Sequence, residues 1–105
     1  MSGTELAATR HLLGLSQQDL ADLLKVNRYT VRDWERERFA PREGIMQEIT
    51  RLRQEHDHAV SVLAESAANG EIIALPSKPK PAGWYLAIGA RILDRVPDAQ
   101  LEWHD

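Results

Sequence analysis

Apolar residues at helical spacing follow two polar start signals in the first part of the chain. Ser2, with Glu5 three positions later, has the pattern of a capping box, and Gly14 is suited to end the helix that Ser2 starts. The same pattern recurs at Ser16 and Asp19. Ser16 directly precedes a helix that begins at Gln17, has Asp19 as its third residue and carries leucines on one face. The pattern therefore predicts two short helices joined by a break.

A third helix is predicted to follow a tight turn. Asn27 is a good N-cap, and helical spacing continues to about Arg38. Val31, Trp34 and the stem of Arg38 share one face, which we expect to point inward. The opposite face carries Arg28, Tyr29, Arg32 and Arg36, with Asp33 at its margin.

The pattern in the remaining sequence predicts one long helical region, followed by a small element that contains both strand and helix. Helical spacing runs from Arg42, after Pro41, to Ala68, with a polar interval at 53–58. That interval leaves two alternatives, one helix with an exposed middle or two helices that bend near His56. His56 and His58 are two positions apart and would point in different directions, so we do not expect them to bind a metal ion.

Asn69-Gly70 is a helix stop, and the β-branched run at 71–75 has strand length. Three prolines between 76 and 81 predict an extended connector. A last helix is predicted from Trp84 to about Val96, apolar around much of its circumference, so that it must be buried. Residues 100–103 are then predicted to form a short edge strand that pairs with residues 72–75.

Composition narrows the class of protein. A chain of 105 residues, 43% hydrophobic and 28% charged, is one small domain or a small domain with an appendage. It has no cysteine, which excludes disulfides and thiolate sites and fits a reducing cytoplasm. No stretch is long and apolar enough for a membrane span, and no export signal is visible. We therefore expect a cytoplasmic protein without a membrane partner.

The charge is unevenly distributed. The net charge is −3, yet residues 25–42 hold 6 Lys/Arg against 3 Asp/Glu, and residues 43–105 hold 6 against 10. The basic residues thus gather on the predicted third helix, as a phosphate-binding surface requires. An arginine fork matches the two acceptors of guanine in the major groove, and tyrosine can contact a phosphate or a thymine methyl group. The alternative is a solvated arginine face with no ligand.

Arg10 lies among the apolar residues of the first helix. A charged group on an apolar face needs a partner. Glu35 is the expected partner, and a side chain that merely extends to solvent is the alternative.

The stretch resembles the Cro/C1-type helix-turn-helix family, also called the xenobiotic-response-element family. The resemblance covers about residues 4–41 and rests on Gly14-Leu15-Ser16-Gln17, Asp19-Leu20-Ala21, Thr30-Val31, Trp34-Glu35 and Pro41. It implies base contacts by Arg28, Tyr29 and Asp33, a contact of Arg32 with a base or with the backbone, and a phosphate contact by Gln17. We count Arg32 among the base-reading residues and expect Thr30, Arg36 and Arg38 to contact phosphates as well. The resemblance also implies that Gln17 supports the reading helix, that Arg10 and Glu35 form a structural ion pair, and that Val31 and Trp34 anchor the reading helix.

Two positions depart from the family pattern, since Lys25 and Glu37 stand where glycine is common. A left-handed backbone at Lys25 would cost about 1 kcal/mol more than at glycine. With Glu37 in place of glycine, the third helix is expected to run on beyond its usual end.

The predicted fold is mainly α. It consists of a lambda-repressor-like DNA-binding domain at 1–41, followed at 42–105 by a long helix and a small αβ dimerisation element with short strands. This layout is similar to that of small autorepressors of the YdiL-like and anti-CRISPR-associated type. The residues predicted to form the dimer interface are Ile72, Ile73, Trp84, Ile88, Ile92 and Trp103. The alternative is a monomer that packs the last helix on its own long helix.

These features predict a DNA-binding regulator that acts as a homodimeric autorepressor on an inverted-repeat operator. Three alternatives are an antitoxin whose acidic carboxy-terminal half binds a toxin, an RNA-binding regulator, and an enzyme. The enzyme is poorly supported, because the sequence has no catalytic triad order, no phosphate-binding glycine loop and no metal-spaced cluster. No cofactor is expected.

Overall fold

The computed structural model describes residues 1–104, which are mainly helical. Within them lie five helices and two strands: α1 (Gly3–Leu12), α2 (Gln17–Leu24), α3 (Arg28–Glu35), α4 (Glu43–Ala68), β1 (Ile73–Leu75), α5 (Ala82–Arg95) and β2 (Leu101–Trp103). The chain divides into two compact units, residues 1–53 and the residues from 54 onwards. This division falls inside α4, whereas the sequence-based division at 41/42 lies ahead of that helix.

Both predicted capping boxes are present at the starts of α1 and α2. The Asp19 amide donates to the Ser16 hydroxyl at 2.9 Å, and the Ser16 amide donates to the Asp19 carboxylate at 3.0 Å. Ser2 and Glu5 make the equivalent pair of hydrogen bonds at α1. Each box satisfies amides that the first turn of a helix leaves without partners, so local sequence alone sets these two helix starts.

The first four helices end with the same backbone motif. In each, a residue at positive φ follows the helix, and its amide and the next amide donate back to carbonyls of the last turn, as in a Schellman motif. The positive-φ residue is glycine after α1 and α4, at Gly14 and Gly70. After α2 and α3 it is Lys25 (φ 58°) and Glu37 (φ 63°). Hydrogen-bonded helix ends thus impose a left-handed conformation on two residues that do not favour it.

The end of α3 corrects one prediction. The helix was expected to continue to about Arg38, but it ends at Glu35, because the Glu37 and Arg38 amides turn back to the carbonyls of Trp34 and Asp33 at 3.1 and 2.9 Å. Arg38 therefore lies beyond the helix, with 60% of its side chain exposed, and its stem is not part of the inward face.

Helices α1 to α3 pack around one apolar core. Val31 and Trp34 are buried beneath α3, as predicted. Val26 in the turn is only half-buried. The other buried apolar residues of this unit are Leu6, Leu13, Leu15, Leu20, Ala21, Leu24, Ile49 and Leu52.

Helix α4 is one continuous helix, which decides between the two alternatives for residues 42–68. Its polar interval is not wholly exposed as expected, because His56 is fully buried. The His56 ring lies edge-on to Trp84, with ring centroids 4.6 Å apart, and its Nε2 atom is 3.2 Å from the Trp84 carbonyl oxygen. A buried polar ring is thus satisfied by hydrogen bonding rather than by solvent.

Strands β1 and β2 form the predicted pairing, in parallel, with Ile73 opposite Leu101 and Leu75 opposite Trp103. Helix α5 lies on this small sheet at Gly89. A Cβ atom at that position would be 3.0 Å from the Leu75 side chain and 3.1 Å from that of Leu101. The absence of a side chain at Gly89 therefore allows the close approach of helix and sheet.

Four of the six residues predicted to form the dimer interface belong instead to the core of the single chain. Ile73, Trp84, Ile88 and Ile92 are buried, so they are not available to a second copy without unfolding of this unit. Ile72 and Trp103 are exposed. The sequence pattern identified α5 as apolar on more than one side but could not say which side covers its own sheet.

Candidate nucleic-acid interface

Helix α3 has one anchored side and one exposed side. Val31 and Trp34 are buried beneath it, while Tyr29 is 49% exposed and Arg28 is exposed beside it. The Asn27 side chain accepts from the Tyr29 amide at 2.8 Å and so fixes the start of the helix. The exposed side is therefore presented by a helix whose start and inner face are both held in place.

Arg28, Tyr29 and Arg32 form a single cluster on the exposed side, which we call the arginine–tyrosine cluster. The guanidinium carbons of both arginines lie 4.9 Å from the centroid of the Tyr29 ring. Arg28 also donates to the Tyr29 hydroxyl at 2.9 Å. This hydrogen bond lowers the pKa of Tyr29 and raises the pKa of Arg28 from their ordinary values. The ring thus holds two cations side by side on one surface.

Asp33 balances part of this positive charge. Its carboxylate oxygen Oδ1 lies 3.6 Å from Arg32 Nη2 and 3.9 Å from Arg38 Nη1. Within residues 1–104, this Oδ1 atom and Arg32 Nε are buried without a hydrogen-bond partner. Buried polar groups without partners are unfavourable, so a small rearrangement of Arg32 and Asp33 on binding a polar ligand would gain hydrogen bonds.

A buried ion pair supports α3 from behind. Arg10 Nε lies 2.6 Å from Glu35 Oε2 and Arg10 Nη2 lies 3.0 Å from Oε1, with side chains only 10% and 8% exposed. Arg10 also donates to the Leu15 carbonyl at 3.0 Å. This is the ion pair that the resemblance implied, and it ties α1 to the end of α3.

Gln17 joins the same network, because its Nε2 atom donates to Glu35 Oε1 at 3.1 Å. Burial of the Glu35 carboxyl would by itself raise its pKa, but the hydrogen bonds from Arg10 and Gln17 outweigh burial, and the pKa lies below its ordinary value. Glu35 is therefore held as an anion. In this structure Gln17 supports the helix, as the resemblance implied.

A groove of about 370 Å³ separates the amino end of α2 from the exposed side of α3. Each residue that lines it carries a polar or charged group: Arg10, Ser16, Gln17, Gln18, Arg28, Tyr29 and Arg32. The groove brings Gln17 into one place with three of the four predicted base-reading residues. Their guanidinium, amide and hydroxyl groups can donate hydrogen bonds to an anionic backbone.

Three of the predicted phosphate residues do not line this groove. Thr30, in the first turn of α3, is half-buried, and Arg36 and Arg38 are exposed at and beyond the end of the helix. The two arginines extend the basic surface along α3 and do not join the cluster.

Sequence reasoning missed Gln18 and Ser16, which also line the groove. Their positions at the N-cap and in the first turn of α2 were the available signal, because amides without intrahelical partners and a positive helix-dipole potential lie there. It also missed Glu37, whose carboxylate accepts from the Gly3 amide at 2.9 Å. Nothing in the local sequence connects residues 34 positions apart.

Membrane-spanning helices and metal-binding clusters are both absent from residues 1–104. No helix among residues 1–104 is long and apolar enough to cross a membrane. The same residues contain no group of three His, Asp or Glu side chains arranged to hold a metal ion.

Comparison with known proteins places the interface in a family. Residues 6–52 match the family model described as helix-turn-helix, which covers α1 to α3 and the start of α4. No curated protein and no solved structure matches the chain. Residues 6–52 are therefore a helix-turn-helix domain of the Cro/C1 type, and the protein is a DNA-binding transcriptional regulator.

Proposed function

We propose that the protein is a homodimeric repressor that inserts α3 into the major groove at an inverted-repeat operator, and that it represses its own operon. The arginine–tyrosine cluster carries this proposal. It is exposed, and it stands on a helix fixed by Val31 and Trp34 below and by the Arg10–Glu35 ion pair behind. An α-helix supported in this way can lie in a major groove, where its exposed side chains contact the base edges.

The residues divide into two roles. Arg28 and Arg32 each present guanidinium donors that suit the O6 and N7 acceptors of guanine, and Tyr29 and Asp33 complete the base-reading set. Gln17, Thr30, Arg36 and Arg38 contact phosphates on either side and fix the register of α3. Gln17 can do so while it supports Glu35, because its amide carries two donor hydrogens.

A dimer follows from the small size of one reading surface. A good bidentate contact discriminates between bases by about 1–3 kcal/mol, so a single α3 distinguishes few sites. Two copies related by a twofold axis would place two α3 helices about 34 Å apart, in successive major grooves, on an inverted repeat. A dimer bound across a promoter excludes polymerase, which makes repression the expected outcome.

Selection of bound duplexes from a random pool tests the proposal. We expect a palindromic motif whose half-sites lie about one helical turn apart. Arg32→Ala should relax the preference at one base pair in each half-site if it reads a base edge, and weaken all sequences alike if it holds phosphate. Recovery of duplexes with no common motif, or stronger binding to hairpin RNA than to duplex DNA, would contradict sequence-specific operator binding.

An antitoxin is the second candidate. Ile72 and Trp103 are large, apolar and exposed at the ends of the two-stranded sheet, and residues 43–105 carry a net negative charge. These features suit a basic protein partner that contacts the sheet. Co-expression with the product of the adjacent gene tests this candidate. A stoichiometric complex that Trp103→Ser abolishes would support it, and separate elution of the two proteins would count against it.

A further inference from the structure

The side of α5 that faces away from the sheet is also apolar. Ala82, Leu86, Ala90 and Leu93 follow one another at steps of four, four and three residues, which places them on one face of the helix. All four are exposed, Leu86 by 55% and Leu93 by 39%. We call this face the α5 stripe. The opposite face of α5 is the one buried within the chain, so the stripe is an addition to the core and not part of it.

We infer that the α5 stripe is the surface on which a second copy of this chain packs, with the two α5 helices antiparallel about a twofold axis near Ala90. The inference rests on the homodimer of the proposed function and specifies its interface. In a twofold interface the same patch must fit itself. A small residue at the crossing point lets two helices approach closely. With the axis at Ala90, the two leucines of one copy lie beside those of the other.

The charges at the two ends of α5 favour the antiparallel arrangement. The amino end has Pro81 at the cap, no side-chain capping hydrogen bond and no acidic residue in the first turn. The carboxy end carries Asp94, exposed four residues after Ala90, and Arg95, whose guanidinium donates to the Ser61 hydroxyl of α4. An antiparallel second copy brings its Asp94 towards the uncapped amino end, where a helix dipole favours negative charge. A parallel copy would place the two Asp94 side chains together.

These features also favour a second copy over an unrelated partner. A twofold axis at Ala90 places Leu86 of one copy beside Leu93 and Asp94 of the other. The leucines of the stripe are thus matched by those of the same helix running in the opposite direction, and Asp94 lies towards the amino-terminal turns, which carry no charged side chain.

Charge substitutions test the interface by sedimentation equilibrium. We expect the wild-type protein to be a dimer and Leu86→Glu to be a monomer, because the new carboxylate would face Asp94 of the second copy. Leu86→Lys should dimerise more tightly than Leu86→Glu, since its ammonium group would face the same aspartate. Val62→Glu is the matched control, because Val62 is 48% exposed on α4, and it should remain a dimer. Circular dichroism confirms that each variant is folded.

A disulfide test locates the axis independently. The chain has no cysteine, so Ala90→Cys introduces a single thiol. Two such thiols can join only where the Cα atoms approach to about 4.4–6.8 Å. We expect rapid formation of a covalent dimer on mild oxidation of Ala90→Cys, and little from Val62→Cys.

The outcomes separate the interface from the function. A wild-type dimer that Leu86→Glu leaves intact and that Ala90→Cys does not cross-link would overturn the α5 interface, while the homodimeric repressor would stand with another contact surface. Loss of the dimer in Val62→Glu alone would likewise overturn it. A wild-type protein that stays monomeric, even when bound to its selected DNA, would overturn both the interface and the proposed homodimer.

Discussion

The Gly3 amide, at the first turn of α1, donates a 2.9 Å hydrogen bond to Oε1 of Glu37, the residue at positive φ after α3. One side chain therefore caps the start of one helix from the end of another. A negative charge at the amino end of a helix is also favourable to its dipole. The contact joins the two helices through a position that carries glutamate and not the glycine common in the family.

The close packing at Gly3 predicts that a single methyl group is not tolerated there. A Cβ atom on Gly3 would lie 2.7 Å from the Trp34 carbonyl oxygen and would also clash with that of Glu35. Backbone atoms cannot move away as a flexible side chain would. We expect Gly3→Ala to lower the free energy of unfolding by about 1–3 kcal/mol.

The matched control is Gly44→Ala, in the first turn of α4, where a Cβ atom meets nothing within 4 Å. That change should leave the protein as stable or raise its stability by up to about 1 kcal/mol. Urea denaturation of both variants measures the difference. Equal stability of the two variants would contradict the close approach at Gly3.

Glu37 combines an unfavourable backbone conformation with a favourable hydrogen bond, and two substitutions separate them. Glu37→Ala keeps the left-handed conformation and removes the acceptor, so we expect a loss of about 1 kcal/mol. Glu37→Gly also removes the acceptor but relieves the conformation, so its stability should lie near that of the wild type. If the alanine variant proved as stable as the glycine variant, the backbone at this position would not be strained.

The Arg10–Glu35 ion pair predicts a dependence of stability on pH. The pKa of Glu35 in the folded protein lies below its ordinary value of 4.5. The contribution of its charge is thus fully present above about pH 4.5 and is lost as the pH falls through the lower folded pKa. Thermal melts between pH 6 and pH 3 should show a smaller loss of stability for Glu35→Gln than for the wild type.

Two variants control for this interpretation. Arg10→Met leaves the Glu35 carboxylate buried without its cation, and we expect it to destabilise the protein by about 3–5 kcal/mol at neutral pH. Glu48→Gln removes a carboxylate whose pKa is also lowered, by its hydrogen bond from Arg51, but which is exposed to solvent. Because solvent screens that pair, the pH profile should change little. A profile altered equally by Glu48→Gln would argue against a special role for Glu35.

We expect the Tyr29 ring to contribute to DNA binding because it holds Arg28 and Arg32 in place. Tyr29→Ala removes the surface on which Arg28 and Arg32 both lie, and we expect operator affinity to fall by about 10- to 100-fold, or about 1–3 kcal/mol. Tyr29→Phe keeps the ring and loses only the hydroxyl contact with Arg28, so its loss should be smaller.

Fluorescence anisotropy on the selected operator measures these affinities, with Arg95→Ala, a basic residue of α5, as the control. Arg95→Ala should bind almost as well as the wild type. If Tyr29→Ala bound as tightly as Arg95→Ala, the arginine–tyrosine cluster would not be the reading surface.

The surroundings of His56 predict its tautomer. Arg91 Nη1 lies 2.9 Å from His56 Nδ1, and a guanidinium can only donate hydrogen bonds. Nδ1 must therefore accept, and Nε2 must carry the proton and donate it to the Trp84 carbonyl. Two-bond nitrogen–proton NMR correlations at neutral pH should show the neutral Nε2–H form. A proton on Nδ1 would contradict this arrangement.

Local signals in the sequence determined much of the amino-terminal unit. Capping boxes at Ser2 and Ser16 and the N-cap at Asn27 set the helix starts, because each hydrogen bond forms between residues two or three positions apart. The exposed face of α3 was likewise predictable from period and charge. These features depend only on residues that are close together in the sequence.

Packing between distant parts of the chain selects which of several apolar or polar faces becomes interior. The structure ends α3 at Glu35, buries His56 inside a polar stretch, and places Trp84, Ile88 and Ile92 of α5 in the chain's own core. The burial of His56 and of the α5 residues depends on contacts between residues far apart in sequence, such as His56 with Arg91. The end of α3 is closed by local hydrogen bonds, and Glu37 is in addition tied to Gly3, 34 positions away. Spacing along one helix shows that a face is apolar, but the element that covers it is chosen by packing across the whole fold.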